Sequence, residues 1–186
     1  MVIDSINSIH ENYKSLDSTE MNFDQKMILL CIDLSQKALD KGDLPFGSVI
    51  TKNGKIIAQA SNDKNTKTNY HAEILALNRA TDSLGTTDLS GCTLYTNCEP
   101  CPMCSFMIRE HKIKKVVFAL PSPFMGGHSK WNILADTELS HFSPFFASPP
   151  KVIGPILEKE AKAIFDKTPL WMFGTHAKED KRFMVD

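Results

Sequence analysis

The sequence predicts an α/β fold built on a single sheet, and three observations lead to this prediction. Stretches with helical spacing of apolar residues alternate along the chain with short stretches typical of strands. Asn53-Gly54 separates the first two strands and indicates an antiparallel hairpin. Later strands are separated by helical stretches, which connect parallel strands. With 186 residues the chain fits one domain, which we expect over residues 23–186 after an N-terminal lead-in over 1–22.

The first half of the chain contains two expected helices with a hairpin between them. Apolar residues recur at helical spacing over 24–41, and Gly42 suits the end of that helix. Residues 46–60 give the two strands of the hairpin. A polar loop over 61–70 then leads to a second helix that begins near His71.

The second half continues the alternation of strands and helices. A short buried strand over 92–96 ends at a cluster of cysteines, and Pro102 suits the first turn of a helix that runs to about His111. A further strand follows over 114–120. The remaining expected elements are a short helix over 130–135, a strand over 151–153 and an amphipathic helix over 156–165.

Composition limits the function classes. Lys and Arg total 21 against 22 Asp and Glu, a formal charge of −1. This balance is a weak argument against nucleic acid as the main partner, although a local basic patch can sit on a neutral protein. No apolar run approaches the roughly 20 residues that span a bilayer, and the N-terminus lacks the pattern of a secretory signal. We expect a cytoplasmic protein with no membrane partner.

Three of the five cysteines, Cys98, Cys101 and Cys104, fall within seven residues. A secreted disulfide scaffold would be shorter and richer in cysteine, so the cluster indicates metal binding or reactivity. Cys101 and Cys104 at the start of a helix place two sulfurs on one side, where the helix N-terminus favours the thiolate. Alone, this pair fits a redox dithiol as well as a zinc site.

His71 and Glu73, at the start of the preceding helix, favour the zinc site. If both helices begin at the same edge of the sheet, His71 supplies a third ligand. One imidazole and two thiolates leave the fourth position of tetrahedral zinc open, as in catalytic sites. Residues two apart on a helix point to nearly opposite sides, so we expect Glu73 to act as a general base and not as a ligand.

Cys98 offers a rival arrangement, since a third thiolate would close the site and make the zinc structural. Pro100 and Pro102 restrict the turn that three sulfurs at intervals of three residues would need. We therefore expect Cys98 to be a small buried residue at the end of its strand.

His71-Ala72-Glu73 followed by P-C-P-M-C over 100–104 is the signature of zinc nucleobase deaminases. Together with L-P-F-G-S-V-I-T-K-N-G-K-I-I-A and S-N-D-K-N in the usual order, it makes the chain resemble the cytidine-deaminase superfamily, in the branch of guanine deaminases and tRNA adenosine deaminases. The resemblance implies a three-layer α/β/α fold with one mixed, roughly five-stranded sheet. It also implies hydrolytic release of ammonia, with one zinc per chain on His71, Cys101 and Cys104 and with Glu73 carrying the proton.

The resemblance further suggests which residues contact the substrate. It implies that Asn62 forms a hydrogen bond with the base, and Phe46, Ala72 and Trp171 are further candidates. Trp171 lies in a segment that could cover the active site, as the C-terminal segment of guanine deaminases does. Glu99 is expected to support the zinc loop.

Three functions remain open on the sequence. We favour a deaminase of a free nucleobase or nucleoside, with a guanine-type purine first, because the chain inserts an aromatic segment over 121–150 and its C-terminal region is only mildly basic. The alternative is a tRNA adenosine deaminase. A non-catalytic zinc-binding module is the second alternative, and an intact Glu73 argues against it. The resemblance makes a homodimer the expected assembly.

Overall fold

The computed structural model describes residues 20–169, so the expected lead-in over 1–22 lies almost wholly outside the described residues. The observed helices and strands begin and end close to the bounds predicted from the hydrophobic periodicity, apart from the helix expected over 130–135. In chain order they are α1 (Phe23–Asp40), β1 (Gly47–Lys52), β2 (Lys55–Ser61), α2 (Ala72–Leu84), β3 (Cys92–Cys98), α3 (Pro102–Glu110), β4 (Lys115–Leu120), a 3₁₀ helix (Glu138–His141), β5 (Lys151–Ile153) and α4 (Glu158–Phe165).

The five strands form one mixed sheet in the order β2-β1-β3-β4-β5, which confirms the predicted sheet. Strand β1 pairs antiparallel with both β2 and β3, whereas β3, β4 and β5 run parallel. The hairpin prediction is also confirmed: Asn53 and Gly54 have φ of 50° and 73°, the positive values that a tight two-residue turn needs.

Helices cover both faces of the sheet, so the three-layer architecture is confirmed. The core under α1 and α4 includes Met27, Ile28, Ile32, Tyr95 and Phe165. The core under α2 and α3 includes Ala76, Leu77, Leu94, Ile108 and Val116. Within residues 20–169, none of these helices has the length and apolarity needed to cross a membrane.

The connection from β4 to β5 differs from the prediction. Residues 130–135 form turns and no helix, and the only regular element of the connection is the short 3₁₀ helix. Asn132 adopts a φ of 56°, a left-handed conformation that interrupts a right-handed helix. The expected helical crossover is therefore present between β3 and β4 and absent between β4 and β5.

Arg109 on α3 holds this connection in place. Its side chain is 2% exposed, and its guanidinium donates to the carbonyl oxygens of Ile133, Asp136 and Ala147 and to the hydroxyl of Ser140. All four acceptors are neutral and lie in the connection. The irregular segment thus satisfies part of its backbone through one distant side chain.

Candidate metal centre and active site

Three potential ligands meet where α2 and α3 begin. His71 is the N-cap of α2, Cys101 is the N-cap of α3, and Cys104 lies in the first turn of α3. Pro102 at the first helical position fixes a backbone angle suited to starting the helix directly after Cys101. The sheet therefore brings two helix starts, distant in sequence, to one edge.

The distances between these atoms fit one zinc ion. His71 Nδ1 lies 3.6 Å from Cys101 Sγ and 3.5 Å from Cys104 Sγ. Zinc with bonds of about 2.0–2.1 Å to nitrogen and about 2.3 Å to sulfur separates such atoms by about 3.5 Å in a tetrahedron. All three ligand atoms lie within 4.8 Å of one another, and no other such group occurs in the described part of the chain.

The protonation of the cluster also favours a metal. The hydrogen bond from Cys104, with a further one from His71, lowers the pKa of Cys101 to about 4. The same bond to the Cys101 sulfur raises the pKa of Cys104 well above its ordinary value. A hydrogen bond to Cys101 raises the pKa of His71. The lowered pKa of Cys101 favours its thiolate, which is the form that binds zinc.

Glu73 lies beside the ligands without belonging to them. Its side chain is 3% exposed, and Oε2 accepts a hydrogen bond from Cys104 Sγ at 3.6 Å. Oε1 accepts from the hydroxyl of Thr96 on β3 at 3.3 Å. Burial raises the pKa of the Glu73 carboxyl. Thr96 is a contact that the sequence analysis missed, because the pair comes together only when β3 runs beneath α2.

Glu99 supports the ligand loop, as the sequence suggested. Its buried carboxylate accepts hydrogen bonds of 2.6–3.0 Å from the backbone N–H groups of Ser122, His128 and Ser129 and from the Ser129 hydroxyl. Gly126 packs so closely against this carboxylate that a Cβ there would overlap it. The loop that carries the cysteines is therefore tied to the segment that follows β4.

Cys98 lies outside the ligand group, as expected. It is buried at the end of β3, where burial raises the pKa of its thiol well above the ordinary value. A buried neutral thiol at this place packs as a small apolar residue. The rival arrangement with a third thiolate ligand is not the one that the structure shows.

Replacing Cys98 with serine is expected to leave one zinc per chain and near-normal activity, with a stability loss of about 1 kcal/mol because a hydroxyl enters an apolar site. Zinc content by atomic absorption on the purified protein measures the first quantity. Cys101→Ser is the matched control and should lose the metal. A Cys98→Ser protein without stoichiometric zinc would contradict the assignment of the ligands.

The proposed substrate contacts are distributed unevenly. Asn62 is buried directly after β2, and Ala72 is the buried first residue of α2. The ring of Phe46 packs edge-on against Phe165 at 5.3 Å, which turns it toward the core under α1 and α4. Trp171, with the segment expected to cover the site, lies outside the described residues.

Comparison with known proteins gives four similarities of note. The family described as the cytidine and deoxycytidylate deaminase zinc-binding region matches residues 21–120. A tRNA-specific adenosine deaminase of Bacillus subtilis (strain 168) is 36% identical over 144 residues, which cover 75% of this chain and 84% of that protein. A structure from a study of A-to-I editing by tRNA:A34 deaminases at the wobble position of transfer RNA has a TM-score of 0.66 at 26% identity, covering 74% of this chain and 97% of that one. A structure of guanine deaminase from Bacillus subtilis has a TM-score of 0.52 at 37% identity, covering 55% of this chain and 66% of that one.

These similarities show that the favoured substrate of the sequence analysis is wrong. Two curated relatives, 36% identical over 144 residues and 40% identical over 110 residues, are both named tRNA-specific adenosine deaminase. The prediction of a guanine-type free base rests on the aromatic insertion and on the lack of basic charge. Neither feature reports on the base that enters the site, since net charge averages over the whole surface.

The family match and the geometry agree on the same residues. The matched range, 21–120, contains His71, Cys101 and Cys104 as well as Glu73. The mixed sheet with helices on both faces is the fold of the solved relatives. The chain belongs to the zinc-binding cytidine and deoxycytidylate deaminase family, in the cytidine-deaminase-like superfamily of hydrolases that act on C–N bonds.

Proposed function

We propose that this chain is a tRNA adenosine deaminase, which converts adenosine to inosine in tRNA and releases ammonia. The observation that supports hydrolysis is the buried Glu73 carboxylate beside three side chains that fit one zinc ion. The observation that supports the substrate is the similarity to tRNA-specific adenosine deaminase over 144 residues.

The chain's own residues account for the proton movements. His71, Cys101 and Cys104 would hold the zinc, which when bound lowers the pKa of a coordinated water to about 7. Glu73 accepts the proton that the attacking water loses and returns it to the departing amino group. A bond forms between the water oxygen and C6 of the base, the bond from C6 to the amino nitrogen breaks and ammonia leaves, while the second proton of the water ends on N1 of the product. The hydrogen bond from Thr96 keeps the Glu73 carboxylate oriented for both transfers.

An exposed basic loop beside the ligands suits an RNA partner. Residues 63–69 are exposed and carry Lys64 and Lys67 as well as Asp63, in the loop that leads to His71. Lys67 Nζ lies 5.1 Å from the centre of the Tyr70 ring, an arrangement that offers both a charge and an aromatic face. Local charge of this kind binds phosphates although the formal net charge is −1.

The homodimer stays a prediction.

The zinc-loaded protein is expected to convert adenosine at the wobble position of a tRNA transcript to inosine, because the nucleoside is then presented in an unpaired loop. Nuclease digestion followed by mass spectrometry measures inosine, and a coupled assay measures ammonia. The same transcript with guanosine at that position, together with free guanine, serves as the control. Ammonia from guanine without inosine in the tRNA would contradict the proposal. Absence of inosine and ammonia with every substrate, while one zinc is bound, would instead support the non-catalytic zinc module.

A further inference from the structure

Asn62 lies next to the first ligand, at the edge of the sheet where the site forms. Its backbone N–H donates to the carbonyl of Phe46 at 2.9 Å. The next residue, Asp63, donates its backbone N–H to the carbonyl of Tyr70 at 2.9 Å. Because Tyr70 precedes His71 in the chain, these bonds hold Asn62 beside the start of α2. The side chain of Asn62 is 5% exposed.

The carboxylate of Asp43 fixes which way round the Asn62 amide sits. Asn62 Nδ2 donates to Asp43 Oδ1 at 2.8 Å. Asp43 also accepts from the backbone N–H of Leu44 at 2.6 Å and of Asn65 at 3.1 Å. An ionised carboxylate only accepts hydrogen bonds, so the amide nitrogen and not the amide oxygen must face it. Burial opposes ionisation of Asp43, yet these bonds overcome it and lower the pKa of the carboxyl.

The amide oxygen of Asn62 is left without a partner. Asn62 Oδ1 is buried and accepts no hydrogen bond from residues 20–169. Its nitrogen carries two hydrogens, of which the bond to Asp43 uses one. A buried acceptor without a donor is costly, so such an atom calls for a ligand group that donates to it.

An amide with a carbonyl and an N–H side by side matches one edge of adenine. Adenine offers there an amino donor at N6 and an acceptor at N7, which asparagine binds with two hydrogen bonds. Guanine offers two acceptors, O6 and N7, on the same edge. An amide that cannot rotate would then place its oxygen against O6, where neither atom can donate.

We propose that Asp43 is a positioning residue that locks the Asn62 amide in the orientation that selects a 6-amino purine over a 6-oxo purine. This inference rests on the proposed function, since it takes adenosine in RNA as the substrate. In this proposal Asp43 does not contact the base itself and acts only by orienting the Asn62 amide. It also supplies a reason for inosine, a 6-oxo purine, to leave after the reaction.

The test compares RNA substrates that carry adenosine or 7-deazaadenosine at the target position, because the second lacks the N7 acceptor. For the wild-type protein we expect kcat/KM to fall at least about tenfold on loss of N7. In Asp43→Asn the new carboxamide can donate as well as accept, so the Asn62 amide is no longer locked. The ratio of the two kcat/KM values should then fall toward the ratio for Asn62→Ala. The inhibition constant of inosine-containing RNA, divided by the KM for the adenosine substrate, should in turn be lower for Asp43→Asn than for the wild type.

Asn65→Ala is the matched control in the same network. It removes the hydrogen bond from Asn65 Nδ2 to the carbonyl of Gly42 at 3.1 Å and keeps the backbone N–H that reaches Asp43. Its adenosine to 7-deazaadenosine ratio should equal that of the wild type. A merely structural role of Asp43 would slow both substrates equally and leave the ratio unchanged, and that result would overturn the inference.

The wild-type protein alone keeps the inference falsifiable if Asp43→Asn does not fold. A wild-type ratio near one would show that the Asn62 amide does not engage the N6–N7 edge. Activity on adenosine with such a ratio overturns this inference and leaves the proposed function standing. Absence of any inosine from the adenosine substrate overturns the proposed function and this inference with it.

Discussion

Replacing Glu73 with glutamine is expected to abolish deamination while the protein keeps its zinc. Glutamine has the same shape but cannot take a proton from water and return it to the departing amino group. General acid–base catalysis of this kind contributes about 10²–10⁴-fold, and we expect a loss in kcat at the upper end because the same carboxylate makes both transfers. His71, Cys101 and Cys104 are unchanged, so metal binding should persist.

The experiment needs zinc content and single-turnover rates on the same preparation of Glu73→Gln. Glu110→Gln is the matched control, since it makes the same chemical change at an exposed carboxylate at the end of α3. That variant should retain wild-type kcat and zinc. A Glu73→Gln enzyme within about tenfold of the wild-type rate would rule out Glu73 as the proton carrier.

The elements around the site could be predicted because their signals are local. Asn53-Gly54 specifies its own turn, and Pro102 marks the start of α3 directly after Cys101. The ligand group follows from the sequence if α2 and α3 begin at the same edge of the sheet. His71 and Cys104 do meet there, although 33 residues separate them.

The remaining features depend on contacts that no short stretch of sequence encodes. Asp43 and Asn62 are 19 residues apart, and their hydrogen bond exists only because β1 and β2 close the hairpin between them. Glu99 reaches residues 23 to 30 positions further along the chain. The prediction of a helix over 130–135 used local periodicity alone, whereas the bonds to Arg109 determine the observed path.

Replacing Arg109 with methionine is expected to destabilise the protein by about 3 kcal/mol, because buried carbonyl oxygens left without a donor cost about 1–3 kcal/mol each. Methionine keeps the length and apolar stem of the side chain but offers no donor. The carbonyl oxygens of Ile133, Asp136 and Ala147 would then lose the guanidinium in a buried setting. Urea unfolding of the zinc-loaded protein measures the change in the free energy of unfolding.

Arg79→Met is the matched control for the loss of a guanidinium. Arg79 makes one exposed hydrogen bond, to the carbonyl of Gln59, so its replacement should cost no more than about 0.5 kcal/mol. Arg109→Lys should fall between the two, because a single ammonium cannot reach diverging acceptors as a planar fork does. If the free energy of unfolding of Arg109→Met lies within about 1 kcal/mol of the wild-type value, the hydrogen bonds of Arg109 do not fix the connection.

Hydrogen exchange separates a local effect from a global one. Arg109 leaves α3 five residues after Cys104, and its four acceptors all lie between residues 133 and 147. Loss of the guanidinium should therefore raise exchange first in that segment, while amides of β1, β3 and β4 keep their protection below the unfolding transition.

Because Glu99 ties the beginning of the same connection to the cysteine loop, a loosened segment should also weaken zinc retention against a chelator. Faster exchange with unchanged zinc retention would show that Glu99 alone isolates the metal site from the rest of the connection.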